Sequence, residues 1–333
     1  MNRLLSVSLL LLFAISSCRE PDSPQPASQP EPEPIVNYQS YLEPVKEAVF
    51  KERLLNFSPG FPTYWPQDRY LYTLPCFNPQ DPYEIAYLRT DSEIISDCPM
   101  ALFIFSFRTG EARQVSNNAC YGLDWSNTGW LIYTGIDRKV WKVKADGDSL
   151  TQLAFGSGFH NDPKWSPNGK SFIYERILMT ENGDLIGGIT ETFRPLAWIN
   201  DSSILGSHGD PSKGLINYSI PSKQVESFIP NENLPGISYF RSGEMDIFVD
   251  PSLRRLTYFL RFDLQTQQID TIRRTYTKYR YGVGDYTPQT KHAIVQLSRQ
   301  DWKDSIANEI YSRSHLLMLD ENGEELGIVQ LPE

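Results

Sequence analysis

A short pattern of strands joined by tight turns recurs along this chain, and it constrains the fold more than any other feature. The sharpest copy occupies residues 162–174 and reads Asp-Pro-Lys-Trp-Ser-Pro-Asn-Gly-Lys-Ser-Phe-Ile-Tyr. In this copy Pro167 presets the φ angle of a turn, and Gly169 supplies a left-handed conformation. The aromatic and β-branched run at 172–174 is typical of a strand. Because a second sharp copy lies at 123–133, we expect a fold built from like units.

A second repeated element extends the periodicity over most of the chain. It is an apolar strand, a Gly-containing turn and another strand, and it follows several copies of the first element. Two such hairpins make a four-stranded unit with a period of roughly 40 residues, which is typical of propeller blades. Weaker copies of the first element lie at 77–87, 196–205, 249–258 and 286–295, and the second element lies at 102–111, 140–153 and 316–324.

These repeats predict an all-β fold, a β-propeller of about six four-stranded blades. A seventh blade is possible at 64–72, but we interpret that segment as a strand that closes the ring against the C-terminal blade. Trp125, Trp165 and Trp198 occupy the anchor position of the repeat. A large aromatic side chain at this position is expected to pack between neighbouring blades.

The motif Asp-Pro-Lys-Trp-Ser-Pro-Asn-Gly at 162–169 resembles the repeat of TolB-like propellers, the WD-repeat-like propellers of bacterial envelope proteins. The resemblance covers roughly residues 70–333. It implies a propeller fold, but it does not imply one function, because propellers host binding, scaffolding and several enzyme activities.

The N-terminal residues have the features of a lipoprotein signal peptide. Arg3 precedes an apolar run at 4–15, which is too short to span a bilayer and suits a signal-peptide core. The run ends with Ile-Ser-Ser-Cys, which resembles the lipobox of bacterial lipoproteins and implies lipidation of Cys18 and cleavage before it. An ordinary signal peptide with an incidental cysteine is the alternative. We expect the signal peptide at 1–17.

The segment after the cysteine predicts a tether and a destination. Residues 19–34 are dense in Pro, Ser, Gln and Glu, so we assign 18–38 to a lipidated cysteine with a flexible tether and 39–333 to the propeller. Arg19 rather than Asp follows the cysteine, which by the common sorting rule indicates an outer membrane lipoprotein on the periplasmic or cell-surface face. Glu20 and Asp22 resemble the surface-export signals of Bacteroidetes lipoproteins.

Three further cysteines, Cys76, Cys98 and Cys120, lie in the repeat region. In an oxidising envelope compartment one disulfide is expected, with one thiol left over. The pairs Cys98–Cys120 and Cys76–Cys98 are both open. A metal site formed by the three cysteines lacks the support of any CxxC or HxxxH spacing.

The charge balance excludes some partners. A net charge of −10 argues against nucleic acid, because phosphate binding requires clustered Lys and Arg. It also disfavours adsorption to an anionic membrane surface, so the lipid anchor is the only membrane attachment expected. The sequence contains no G-x-S-x-G motif for nucleophilic catalysis and no P-loop for phosphate binding.

The sharpest candidate for chemistry is a group of loop residues, His160, Asp162, His208 and Asp210. The loop that enters an inner strand and the loop after a second strand open on the same face of a propeller, so these residues are expected near one rim. Their nitrogen and oxygen atoms suit a divalent metal or a general acid–base pair, although loop His and Asp residues are common without such a role. No other cofactor is predicted.

Asp124 and Asp162 lie just before two of the anchor tryptophans, on or beside inner strands. At such a position a carboxylate can line the axial channel or accept hydrogen bonds from turn amides, and a structural role is favoured. The alternative is a pair of catalytic carboxylates on adjacent blades, as glycosidases require.

The sequence as a whole favours a non-enzymatic cell-envelope lipoprotein whose propeller is a binding scaffold for an envelope protein or a peptide. The competing interpretation is an enzyme, or a small-ligand or carbohydrate-binding protein, that uses the rim near His160 and His208. A third is a structural ring within a larger secretion or uptake assembly.

Replacement of Cys18 by alanine tests the anchor. We expect the wild-type protein to incorporate a palmitate analogue in cells and Cys18→Ala to lose the label, because the thioether to the lipid forms at that cysteine. Gel fluorescence after click coupling measures the label. A labelled Cys18→Ala protein, or an unlabelled wild type, would contradict the lipobox assignment.

Overall fold

A computed structural model describes residues 36–44, 71–90, 99–155, 162–189, 193–208, 215–229, 237–239, 245–249, 256–263, 268–276, 280–303 and 310–332. The body of the protein comprises Val36–Glu333. Its described elements are strands, apart from one 3₁₀ turn at Tyr38–Tyr41.

The strands form six antiparallel four-stranded units that follow one another along the chain, with the first strand of each unit innermost. This arrangement is a β-propeller, as the repeats predict. Within the described ranges six blades are formed. Blades 1 and 2 comprise β2 (Leu71–Phe77), β3 (Glu84–Thr90), β4 (Met100–Ser106), β5 (Ala112–Trp125), β6 (Trp130–Gly135), β7 (Lys139–Lys144) and β8 (Thr151–Phe155).

Blades 3 to 6 have four strands each, and a short N-terminal strand, β1 (Leu42–Glu43), adds to the last blade. Blade 3 contains β9 (Lys164–Trp165), β10 (Ser171–Tyr174), β11 (Ile177–Thr180) and β12 (Leu185–Gly188), and blade 4 contains β13 (Phe193–Asn200), β14 (Ser203–His208), β15 (Leu215–Ser219) and β16 (Gln224–Ile229). Blade 5 contains β17 (Ile237–Tyr239), β18 (Met245–Val249), β19 (Leu256–Asp263) and β20 (Gln268–Tyr276), and blade 6 contains β21 (Arg280–Thr287), β22 (His292–Lys303), β23 (Ile310–Leu319) and β24 (Glu325–Val329).

Blades 1 and 2 share one long strand. The first part of β5 pairs with β4 as the outer strand of blade 1, and its last part pairs with β6 as the inner strand of blade 2. The register shifts along β5 in both pairings, and Gly122 has a positive φ of 55°. Irregularities of this kind bend a strand, which lets β5 continue from the edge of the ring to its axis.

The two sharp repeats form the predicted hairpins. β5 and β6 flank the turn at 126–129, and β9 and β10 flank the turn at 166–170. Gly129 and Gly169 have φ angles of +83° and +68°, the left-handed conformation that the motif predicts. The weaker copies at 77–87, 196–205 and 286–295 also lie across the first and second strands of their blades.

The copy at 249–258 is assigned wrongly by the sequence pattern. Val249 ends β18 and Leu256 begins β19, and β18 also pairs with β17, so these residues belong to the second and third strands of blade 5. The error has a simple physical reason. Every hairpin of a blade alternates apolar strands with a polar turn, and a degenerate copy therefore does not show which hairpin it represents.

The ring is closed by a segment other than the predicted one. β1 pairs with β24 and becomes a fifth strand of blade 6, with Leu42 opposite Val329. The interpretation of 64–72 as the closing strand is wrong for its described part, because Leu71 and Tyr72 begin the inner strand of blade 1. Residues 64–70 lie outside the described residues.

The segment before β1 is a clasp across the seam between the first and last blades. Tyr38, the last residue of the predicted tether, is only 7% exposed. Its hydroxyl donates to the Pro82 carbonyl oxygen of blade 1 at 2.8 Å and lies 3.4 Å from the Thr290 hydroxyl of blade 6. Its ring packs against Phe107 and His292, with centroids 4.8 Å apart in each pair. Burial raises the pKa of Tyr38 to about 12, so the hydroxyl keeps its proton.

The anchor tryptophans pack between blades, as predicted. Trp125 is 1% exposed and shares a cluster with Ala86 and Leu88 of blade 1. Trp165 packs with Ile132 and Val140 of blade 2, and Trp198 packs with strands of blade 3. Phe77 of blade 1 is the equivalent residue at the seam, where it clusters with Ile294 and Met318 of blade 6.

Two buried carboxylates tie one blade to the next. Asp124 Oδ2 of blade 2 accepts the Trp165 backbone N–H of blade 3 at 2.7 Å. Asp285 Oδ2 of blade 6 accepts the Phe77 backbone N–H of blade 1, also at 2.7 Å. In both cases the aspartate lies directly before the anchor residue of its own blade, and its carboxylate accepts the backbone N–H of the anchor residue of the next blade. A structural role for Asp124 is thereby confirmed, but its partner is a strand amide of the next blade and not the predicted turn amide.

Removal of the Asp124 carboxylate is expected to destabilise the propeller. Asp124→Ala leaves the buried Trp165 N–H without its acceptor, which should lower the free energy of unfolding by about 1–3 kcal/mol. Asp124→Asn, which keeps an acceptor oxygen, should lose less. Urea denaturation followed by tryptophan fluorescence measures the change. Asp148→Ala in an exposed turn is the control and should stay within about 0.5 kcal/mol of wild type. Equal losses in Asp124→Ala and the control would refute this role.

The surroundings of His292 predict that the seam is sensitive to acid. Burial lowers its pKa below the usual 6.5, against the opposing effects of Asp320, the Thr290 backbone and Glu321. A depressed pKa in the folded state means that the unfolded chain takes up a proton first. The free energy of unfolding should therefore fall as the pH drops below about 6.5 towards the folded-state pKa. His292→Gln should remove this component, as measured by urea denaturation across that range. An unchanged pH slope in the variant would show that His292 does not contribute.

Candidate functional site

The described inner strands of five blades end around a pocket of about 200 Å³ on the axis of the ring. Its walls are the C-terminal parts of β2, β5, β9, β13 and β21 and the turns that follow four of them. We call it the axial pocket. Asn127, Pro288 and Gln289 line it and are exposed, so they mark its mouth.

Side-chain amides tie the turns around this mouth into a chain. Gln289 of blade 6 donates to the Pro79 carbonyl of blade 1 at 3.0 Å, and Gln80 of blade 1 donates to the Asn127 carbonyl of blade 2 at 2.7 Å. The Asn127 amide then donates to the Pro167 carbonyl of blade 3.

The chain of contacts continues into blade 4. Asp201 Oδ1 accepts the Asn168 backbone N–H at 2.9 Å. The turns of five consecutive blades around the ring are thus joined by direct hydrogen bonds. Such ties hold the mouth of the axial pocket in one geometry before any ligand arrives, which reduces the entropic cost of binding.

The pocket contains ionisable side chains of both signs. Asp124 and Lys164 occupy equivalent repeat positions in blades 2 and 3, and both line the pocket. Asp124 Oδ2 is engaged by the Trp165 amide, and Lys164 Nζ donates to the Leu123 carbonyl oxygen of blade 2 at 3.3 Å. The Trp198 indole N–H donates to the Lys164 carbonyl oxygen at 3.0 Å.

Two residues of the rim site predicted from the sequence, Asp162 and His208, have a described backbone. Asp162 precedes β9, and His208 ends β14, where its backbone lies opposite Phe193 at the start of β13. Asp162 thus lies just before its inner strand and His208 beside the start of another, at the strand ends opposite those that line the axial pocket. Oδ1 of Asp162 is buried and has no hydrogen-bond partner among the described residues. His160, Asp210 and the side chain of His208 lie outside the described residues, so the rim site stays a prediction.

Across the described ranges, no group of three His, Cys, Asp or Glu side chains is arranged to hold a metal ion. The same ranges contain no helix that is long and apolar enough to cross a membrane.

The cysteines of the repeat region divide between two states. Cys120 on β5 is disulfide-bonded, and Cys76 on β2 is a buried thiol. The pair Cys76–Cys98 therefore does not form in this structure. Cys98, the remaining candidate of the predicted trio, lies outside the described residues, as does the predicted lipidation site Cys18.

Sequence reasoning missed the axial pocket as a site. Lys164 belongs to the repeat motif at 162–169, but the motif is recognised by the neighbouring Trp165 and by the turn residues. One signal was present: the residue before the anchor position is Asp in blades 2 and 6 and Lys in blade 3. The mouth residues gave no such signal, since Asn, Pro and Gln are ordinary in turns.

Solved structures share this architecture at very low sequence identity. A TolB-type protein from Agrobacterium tumefaciens is 13% identical and superposes with a TM-score of 0.51 over 69% of this chain and 90% of its own. An oligogalacturonate lyase from Vibrio parahaemolyticus is 11% identical, with a TM-score of 0.50 over 78% and 79%. A chain of the nidogen/laminin complex is 9% identical, with a TM-score of 0.50 over 79% and 93%. These likenesses support the propeller fold and nothing finer.

No family model matches the chain, and no curated protein matches it.

Proposed function

We propose that this protein is a non-enzymatic lipoprotein of the bacterial cell envelope, of the TolB-like, Bacteroidetes type, whose propeller binds a peptide or a protein segment in the axial pocket. One observation carries the proposal: five blades line the pocket, and the turns of these blades are tied together by hydrogen bonds between neighbouring blades. A preformed concavity with both polar and apolar lining suits recognition.

The size and lining of the pocket favour a peptide segment as its ligand. Its volume of about 200 Å³ suits a side chain or a chain terminus better than an extended oligosaccharide or a folded domain. Proline rings at the mouth offer apolar contact, and the amides of Asn127 and Gln289 lie beside them. Apolar contact together with neighbouring amide groups suits a peptide backbone.

The hydrogen bonds of two buried carboxylates favour a binding function over a catalytic one. Asp124 and Asp285 are each engaged by a buried backbone N–H of the next blade. A carboxylate that holds two blades together is poorly placed to exchange protons with a substrate, because its protonation would weaken the ring. The rim near His160 and His208 remains the competing site for an enzyme or a small-ligand binder.

The proposed location follows from the sequence. A lipid on Cys18 and the Pro-rich tether would hold the propeller at the outer membrane, on its periplasmic or cell-surface face. Similar propellers include a TolB-type protein and a chain of a protein–protein complex, and both fit a role in protein recognition. A structural ring in a larger envelope assembly would use the same surface.

A peptide selection tests the proposal. The full-length protein, solubilised in detergent, is screened against a random-peptide library displayed with free carboxyl termini. Selected peptides should bind wild type and bind Pro288→Trp at least tenfold more weakly, since the indole would obstruct the pocket mouth. Fluorescence anisotropy of labelled peptides measures the affinities.

Pro221→Trp is the matched control, because Pro221 lies in an exposed turn at the outside of blade 4. It should bind the peptides as wild type does. Recovery of no binding peptide, or equal weakening by both tryptophan variants, would overturn the axial pocket as the binding site.

A further inference from the structure

The wall of the axial pocket includes a buried lysine, Lys164, at a repeat position where two other blades carry a structural carboxylate. Asp124 and Asp285 occupy this position in blades 2 and 6 and accept the N–H of the next blade. A lysine side chain has no acceptor, so it cannot make that bond. In blade 3 the tie to the next blade instead uses the main chain of Lys164, whose carbonyl oxygen accepts the Trp198 indole N–H.

Lys164 is part of the wall of the pocket. Lys164 is 6% exposed, lines the pocket, and places Nζ 3.3 Å from the Leu123 carbonyl oxygen on the inner strand of blade 2. Removing an ammonium group from water is unfavourable, and this free-energy cost is offset by hydrogen bonds and by a nearby opposite charge. Attraction between opposite charges is also stronger here than at the surface, because the local dielectric constant is lower.

We infer that the axial pocket recognises one carboxylate of its ligand through Lys164, supplied either by an Asp or Glu side chain or by the chain terminus. This inference rests on the proposed function and names the chemistry of the peptide. Asp124 also lines the pocket and has one oxygen engaged by Trp165. Its negative charge disfavours a second ligand carboxylate, so the pocket accepts one acidic group rather than an acidic run.

The test compares acid and amide forms of the peptides selected on the wild-type protein. Each acidic side chain is replaced in turn by its amide, and separately the carboxyl terminus is amidated. One replacement should weaken binding about tenfold or more, which corresponds to about 1.4 kcal/mol. The position of that replacement distinguishes a side-chain carboxylate from a terminal one.

Three variants assign the preference to Lys164. Lys164→Met should bind the acid and amide forms equally, whereas Lys164→Arg, which keeps the charge, should retain a preference for the acid. Lys170→Met is the matched control, because Lys170 is exposed in the adjoining turn, and it should behave as wild type. Urea denaturation of each variant shows whether the fold is kept, and Lys164→Arg carries the test if Lys164→Met unfolds.

The outcomes separate the two proposals. Peptides that bind at the pocket mouth but tolerate every amide replacement would overturn the carboxylate inference and leave the proposed function intact. An acid preference that survives in folded Lys164→Met, or that is lost in folded Lys164→Arg, would also overturn it. Recovery of no binding peptide would overturn both.

Discussion

The structure depends on how each blade is held to the one before it. An anchor aromatic residue near the end of the inner strand packs into the preceding blade, as Trp165 does against blade 2. At two junctions a buried carboxylate of the preceding blade also accepts the N–H of that anchor residue. Apolar contact supplies most of the attraction, and the hydrogen bond fixes the register between blades, because a buried N–H without a partner is costly.

A ring of blades must also join its two ends, and here the junction takes a particular form. The four strands of blade 6 come from the C-terminal part of the chain, and β1 adds outside them as a fifth. The seam between blades 1 and 6 is therefore held by side chains, by the Asp285–Phe77 hydrogen bond and by the clasp of Tyr38. Because Tyr38 is the last residue of the proposed tether, any load on the tether would reach the ring at its seam.

The hydrogen bonds between blades also determine the shape and the chemistry of the axial pocket. Hydrogen bonds between turns set the shape of its mouth, and the engagement of Asp124 and Asp285 removes two carboxylates from the groups available for acid–base chemistry. Lys164 departs from this scheme, since its blade uses a main-chain carbonyl for the tie. Recognition in the pocket would therefore depend on a side chain that takes no part in the tie from blade 3 to blade 4.

The sequence by itself determined the fold class, the blade length and the packing role of Trp125, Trp165 and Trp198, because turn residues and large aromatics have strong local preferences. It did not determine which hairpin the residues at 249–258 represent, which segment closes the ring, or that Lys164 and Gln289 border one pocket. Only the tertiary structure decided these, since blade order and ring closure bring together residues that are far apart in the chain. Tyr38 and Thr290 meet for that reason, and no local pattern records their contact.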